Sequence, residues 1–387
     1  MRALALALLV LVGVGAAQAQ QPRPAAPPPI LTPATPPAPP PVAVPEKPLA
    51  LRLESATTLR GPGGRWGVPV ADELNRRLYL PRGPAGLSVL SLDTFKPLGE
   101  VPDTAGSGAV ALDAETLRGF SANNLESKPG GPPGSGITVF DQRTYKPVGN
   151  LAVAASLVLY DVATRQLVAV VEGGEVVLID PVKLVVIARM TLEGKRPSAL
   201  AADRRGRVFV ALADRDAIVV LDMVARRVAT TWKPEGCRAP VGLVFDPFGQ
   251  RLVVACRGGA AEGTTVAAVP AGLLVDISTG RPGASFQVPP LLDAVIHDAQ
   301  NRLLYFTSGG NANVLVYRQP DAFRYLAMET VGTRPLAGLG VADGRTGRLI
   351  LAAAEYVASV TQPDGSGGTR ILPNSYTLLS LRRLPLE

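Results

Sequence analysis

The sequence predicts an all-β fold, a seven-bladed β-propeller closed by pairing of its N-terminal and C-terminal strands. Three observations carry the prediction. An Asp closes a short apolar strand seven times, at Asp72, Asp113, Asp161, Asp203, Asp246, Asp298 and Asp343, with spacings of 41, 48, 42, 43, 52 and 45 residues. After each comes a turn and then a second strand that is close to continuously apolar, as at 208–212, 252–255, 303–306 and 349–353. Such a strand is buried on both faces. Finally, a 40-to-50-residue β unit cannot cover both its faces alone, so copies must stack against one another.

Taken in chain order, the first element is an export signal. Arg2 supplies the positive start, 3–14 is an apolar run, and Ala17-Gln18-Ala19 is a small-x-small cleavage site, giving a signal peptide over 1–19. The run falls short of the roughly 20 residues that a spanning helix needs. Residues 20–48 form a proline-rich linker: 13 of the 28 residues in 21–48 are Pro, a composition that favours an extended, hydrated chain over a packed core. The propeller is expected over 49–387, and its N-terminal arm places the protein in the periplasm or outside the cell.

Within each unit the first strand ends at the anchor Asp, as in 197–203 and 242–246. The third reads Val176-Val177-Leu178-Ile179-Asp180 or Ile218-Val219-Val220-Leu221-Asp222, again ending in Asp. An Asp at the first position of a tight turn accepts hydrogen bonds from backbone N–H groups two and three residues on, so these acids are read as turn-formers before anything catalytic. Fourth strands such as 97–101 and 228–232 are more polar, as befits an outer edge. The last unit runs out of chain before a fourth strand, while 51–59 is a strand without a unit. Pairing the two closes the ring.

These units resemble the YVTN-type repeat, and the chain is similar to exported YncE-like seven-bladed propellers. Tyr305-Phe306-Thr307-Ser308 comes nearest to the namesake tetrapeptide, and Val208-Phe209-Val210-Ala211 is a looser version. Unit two is degenerate at Arg118-Gly119-Phe120-Ser121, and units six and seven carry Tyr317 and Ser380 where the third-strand Asp belongs. The resemblance implies a binding scaffold and assigns no residue a role.

Charge and counting bound the chemistry. The net charge is +7, with 39 basic residues against 32 acidic, and the excess is Arg. Pairs such as Arg204-Arg205 and Arg226-Arg227 are scattered through turns and read as solvated edges. A single His, His297, cannot assemble a copper or haem site, so no cofactor and no metal is expected. Cys237 precedes the first strand of its unit and Cys256 ends the second, at the same end of a hairpin. They are either a disulfide or two thiols.

Loop length is the functional clue. The link between second and third strands is short in four units and long in three, at 123–136, 257–272 and 355–375, all emerging on one face. The expected function is therefore that of a non-catalytic exported scaffold that binds a macromolecular partner through that face. The candidate binding residues are Arg82, Asn123, Asn124, Lys128, Arg215, Arg257, Asn311, Asn313 and Tyr356. A protein or cell-envelope polymer is the expected partner of a monomer, with nucleic acid another ligand for the Arg side chains. Two alternatives stand beside it: a calcium-dependent lactonase-type hydrolase with its site in the central tunnel, and a propeller subunit of an electron-transfer complex.

Overall fold

Alternating side chains along each central strand leave in opposite directions, and both directions are apolar. In the second strand of blade five, Arg251–Cys256, Leu252, Val254 and Cys256 join a cluster with blade four, while Val253 and Ala255 join one with blade six. In blade seven, Leu349, Leu351 and Ala353 pack toward blade six, and Ile350 and Ala352 toward blade one. A sheet with two oily faces is stable only between two others, and the ring supplies them.

The structure, a computed structural model, describes residues 49–125, 136–260, 267–358 and 369–385. The expected signal peptide over 1–19 and the expected proline-rich linker over 20–48 lie outside them, as does Lys128. Seven four-stranded antiparallel sheets make up the disc, with no helix among the described residues. Seven apolar clusters fill the junctions between them. First strands of neighbouring blades abut around the axis from blade two through blade seven to blade one.

Closure is by the termini. Leu49–Leu59 forms the outer strand of blade seven, beside Tyr376–Pro385, in a register running from Leu49 opposite Pro385 to Leu59 opposite Tyr376. Leu51, fully buried, joins the cluster between blades six and seven. Glu54 holds the seam: its carboxylate accepts from Arg348 at 2.8 Å and Ser380 at 3.2 Å, and lies 3.6 Å from Arg382. Burial alone would raise its pKa, yet these donors bring it below the ordinary carboxylate value.

The anchor acids cap turns. Asp113 and Asp161 each accept from the Thr three residues on, at 2.5 and 2.6 Å, and Asp298 accepts from the backbone and side chain of Asn301. Six of the seven are buried, Asp72 being half-buried. Four residues beyond the anchor the chain turns left-handed, at Arg76, Leu117, Arg165, Gln250 and Arg302, with φ between 52° and 56°, so that the second strand starts in register. In blade six the third strand continues past Tyr317 to Asp321, which caps the next turn through the backbone N–H groups of Phe323 and Arg324. Arg318 holds the place of the third-strand Asp in this blade, and the hairpin runs three residues further before Asp321 caps its turn.

Arginine ties blade to blade. At the start of the second strand, Arg77 donates to the Gln142 carbonyl of the next blade, Arg118 to Pro181 and Val182, and Arg207 to Ile277. Part of the Arg excess is therefore structural.

Candidate partner-binding face

Antiparallel strands sort the connections onto two faces. The Asp-capped turns occupy one. The other receives the links between second and third strands together with the connections from each blade into the next. All three long links emerge there, and two of them carry short hairpins: Gly259–Ala260 with Ala267–Ala268, and Tyr356–Ala358 with Thr369–Ile371.

A cavity of about 550 Å³ opens on this face where blades five, six, seven and one converge. Its walls come from Arg65 and Trp66 ahead of blade one, Arg257 of blade five, Asp293 ahead of blade six, Leu336 ahead of blade seven, and Thr369 and Ile371 of the blade-seven hairpin. Asp293 organises one side: Oδ1 lies 3.2 Å from Arg257, and Oδ2 accepts the Gly309 N–H at 2.8 Å. Arg257 also donates through Nε to the Leu292 carbonyl. Gly338 permits the fit, because a Cβ there would run into the Asp293 carboxylate.

Trp66 stands edge-on to Tyr376, with ring centroids 5.4 Å apart. Behind them the Tyr376 hydroxyl is buried without a partner, and burial pushes its pKa up. Exposed apolar groups neighbour these wall residues: Val68 two residues after Trp66, Leu291 against Gly310, and Tyr356 and Val357 across the hairpin from Ile371 and Arg370, between 40% and 59% exposed. With two Arg and one Asp in its lining, the cavity carries a formal excess of positive charge at its wall. Its volume suits a small molecule or one or two side chains of a partner.

The residues expected from the sequence divide. Arg257 lines the cavity, and Tyr356 is exposed on the hairpin beside it. Asn311 and Arg215 are exposed on the same face, each donating to a backbone carbonyl, of Pro290 and Glu193. Asn313 begins the third strand of blade six, half-buried. Asn124 reaches the Ala154 carbonyl at 3.4 Å. Arg82 and Asn123 instead lie beneath the surface. Arg82 donates to Ser88 and the Arg60 carbonyl and sits 5.2 Å from the Tyr376 ring centroid; Asn123 bonds Ser121, Thr138 and the Asp103 carbonyl. Both hold the loop face together. Arg65, Trp66, Asp293 and Leu336 were missed because they sit on blade-to-blade connections, where no repeat pattern marks them.

Cys237 and Cys256 form a disulfide on this face, with Cα atoms 5.3 Å apart. It closes the entry to blade five onto the strand that leads to Arg257. Among the described residues no group of three or more His, Cys, Asp and Glu could hold a metal ion. His297 donates to the Phe245 carbonyl, and burial lowers its pKa below the usual value.

No protein-family model matches the chain, and no curated protein matches it in sequence. Solved structures do match in fold. The chain is similar to the WD40 repeats of RRP9, with a TM-score of 0.65 at 12% identity over 86% of this chain and 100% of that one. A chain of Kuenenia stuttgartiensis hydrazine synthase gives 0.63 at 13% identity, over 77% and 94%. The β-propeller domain of Myceliophteria thermophila Cps50 (Swd1) gives 0.62 at 10%, over 87% and 100%. The fold is a seven-bladed propeller, and at these identities the likeness extends to fold alone.

Proposed function

We propose that this protein is an exported, non-catalytic propeller scaffold that holds a protein or cell-envelope polymer on its loop face. One observation carries the reading: exposed Val68, Leu291, Tyr356 and Val357 neighbour wall residues of the cavity on the face from which the long links emerge. An apolar group left in water on a rigid surface is stabilised when a partner covers it, at about 25 cal/mol per Å² buried. Two Arg against one Asp in the wall leave a formal excess of positive charge, which favours a partner that brings an anion beside its apolar anchor. The disulfide supports an oxidising, extracytoplasmic setting, and the repeat resemblance to YncE-like proteins agrees with export.

The test is affinity capture from envelope extract with the intact protein, against a variant with the three long links shortened and a Tyr356→Ala, Arg257→Ala variant. Partners recovered with the intact chain and lost with both variants support the reading. Equal recovery by all three defeats it.

A further inference from the structure

The repeat has a consequence on its other face. Each turn draws a carboxylate inward: Asp113, Asp161, Asp203, Asp246, Asp298 and Asp343 are all buried beneath the turns they cap. Cations of this face stay outside, from Lys96 of blade one and Lys183 of blade three round to Arg345 of blade seven, Arg143 and Arg324 being ion-paired with Asp141 and Asp321. Among the described turn acids, Asp93 and Glu115 stand exposed, and each is already ion-paired, with Arg76 at 2.7 Å and Arg165 at 3.1 Å. With most of the acids buried or paired beneath the surface and Lys96, Lys183, Arg204, Arg205, Arg226 and Arg345 exposed on it, the outermost layer of the turn face is predominantly cationic.

Apolar side chains are displayed among these cations. Leu74, Val162, Val182, Val224, Phe248 and Phe323 occupy the turns and are between 44% and 82% exposed. The mixture is densest on blades three and four, where Val162, Val182 and Val224 alternate with Lys183, Arg204, Arg205 and Arg226. A groove of about 330 Å³ beside them, spanning the turns of blades two to four, is mixed in charge, with Asp113, Glu115 and Asp180 facing Arg165 and Arg226, so the cationic and apolar tips at its outer edge rather than the groove itself make the surface. The register of Leu49 opposite Pro385 also places the entry of the chain into the propeller at this face.

We propose that the turn face docks on an anionic membrane surface. Cations alone would suit any polyanion. Apolar tips interleaved with cations suit a bilayer interface, where lipid phosphates meet the guanidinium groups and the tips reach the acyl boundary. The loop face then points away from the lipid and stays open for a partner. The two surfaces act independently.

The experiment is sedimentation of the full chain with vesicles of phosphatidylcholine alone or mixed with phosphatidylglycerol, in low and high salt. Three variants are compared: Arg204→Gln/Arg205→Gln/Arg226→Gln, Val224→Ser/Phe323→Ser, and the loop-face Tyr356→Ala. All the substituted side chains are exposed, and thermal melts confirm folding. The wild type is expected to prefer the anionic vesicles and release in high salt. Loss of three cations lowers that partitioning on the order of a hundredfold. The serine variant falls about tenfold at unchanged charge, while its binding to a soluble oligonucleotide is unchanged; Tyr356→Ala binds vesicles as the wild type does. Equal binding of the wild type to neutral and anionic vesicles, or retention by the glutamine variant, overturns the proposal. So does binding of the oligonucleotide without binding of vesicles, which would make the face a polyanion site.

Discussion

Substituting Asp343 by Ala should cost several times what substituting Asp93 by Ala costs, although both acids bind the same arginine. Arg76 crosses from blade one to blade seven and donates to both Asp343 oxygens, at 2.9 and 2.6 Å, while its Nη2 also lies 2.7 Å from Asp93. The Asp343 side chain has no exposed surface, the Asp93 side chain is 52% exposed, and Arg76 is 15% exposed. Burial by itself would raise the Asp343 pKa, but the Arg76 and Thr346 hydrogen bonds bring it below the ordinary value. Removing it takes away the buried partner of a largely buried guanidinium and leaves it only the exposed Asp93, a cost toward the lower end of the about 3–5 kcal/mol of a broken buried pair. Removing Asp93 breaks a solvent-screened pair worth under about 1 kcal/mol. Urea unfolding followed by tryptophan fluorescence measures the difference at the right place, because Trp66 packs on Tyr376 near the same junction. A double-mutant cycle with Arg76→Ala should assign most of the Asp343 cost to the pair. Equal, sub-kilocalorie effects for the two acids would refute the view that ring closure rests on this buried bond.

Other outcomes follow from the same structure. Replacing Cys237 and Cys256 by Ala removes a cross-link spanning a sequence separation of 19 and should lower stability by roughly 3 kcal/mol; a melt unaffected by the change, or by reductant, would contradict it. Gly338→Ala should cost about 1–3 kcal/mol by forcing Asp293 from the cavity wall, read as a lowered melting temperature, and an unchanged melt would show that the wall is slack. Acid should destabilise the fold in two stages. Burial lowers the His297 pKa below 6.5, so a shallow loss begins as pH falls through that value. Asp141 and Asp276, held at about 2 by hydrogen bonds from Arg143 and Ser278, add a steeper loss between about pH 4 and 2. In alkali, Tyr79 and Tyr160, pushed up to about 12 by burial, lower stability as pH rises beyond 10. Melting temperatures across pH check both limbs, and a rise in stability from pH 7 to 5 would contradict the first.

The blades were legible because their physics is local and repeated. Burial on both faces writes continuous apolar strands such as Arg251–Cys256, and each turn needs an acceptor at its first position, which writes the Asp. Even the unmatched strand at 51–59 signalled closure, since an outer strand was lacking at the far end. Unit six lacks the Asp at the usual register because its outer hairpin is longer and turns at Asp321 instead. The loop face was legible in outline only. Link length pointed to Arg257 and Tyr356, but the cavity joins residues from blades five and one that ring closure alone brings together. Sequence cannot tell an Arg that faces solvent from one such as Arg82, held between Ser88, Arg60 and the Tyr376 ring. Nor could it show that Arg204 and Arg226 share a face, because that depends on which connections of the repeat lie together.

The most direct test of the central claim is amide hydrogen exchange of the protein with and without its captured partner. The account predicts slower exchange in peptides covering 64–67, 256–259, 308–311 and 369–372, and no change in the turn peptides at 203–206 and 223–227. Protection confined to the turn peptides, or spread evenly over both faces, would contradict it.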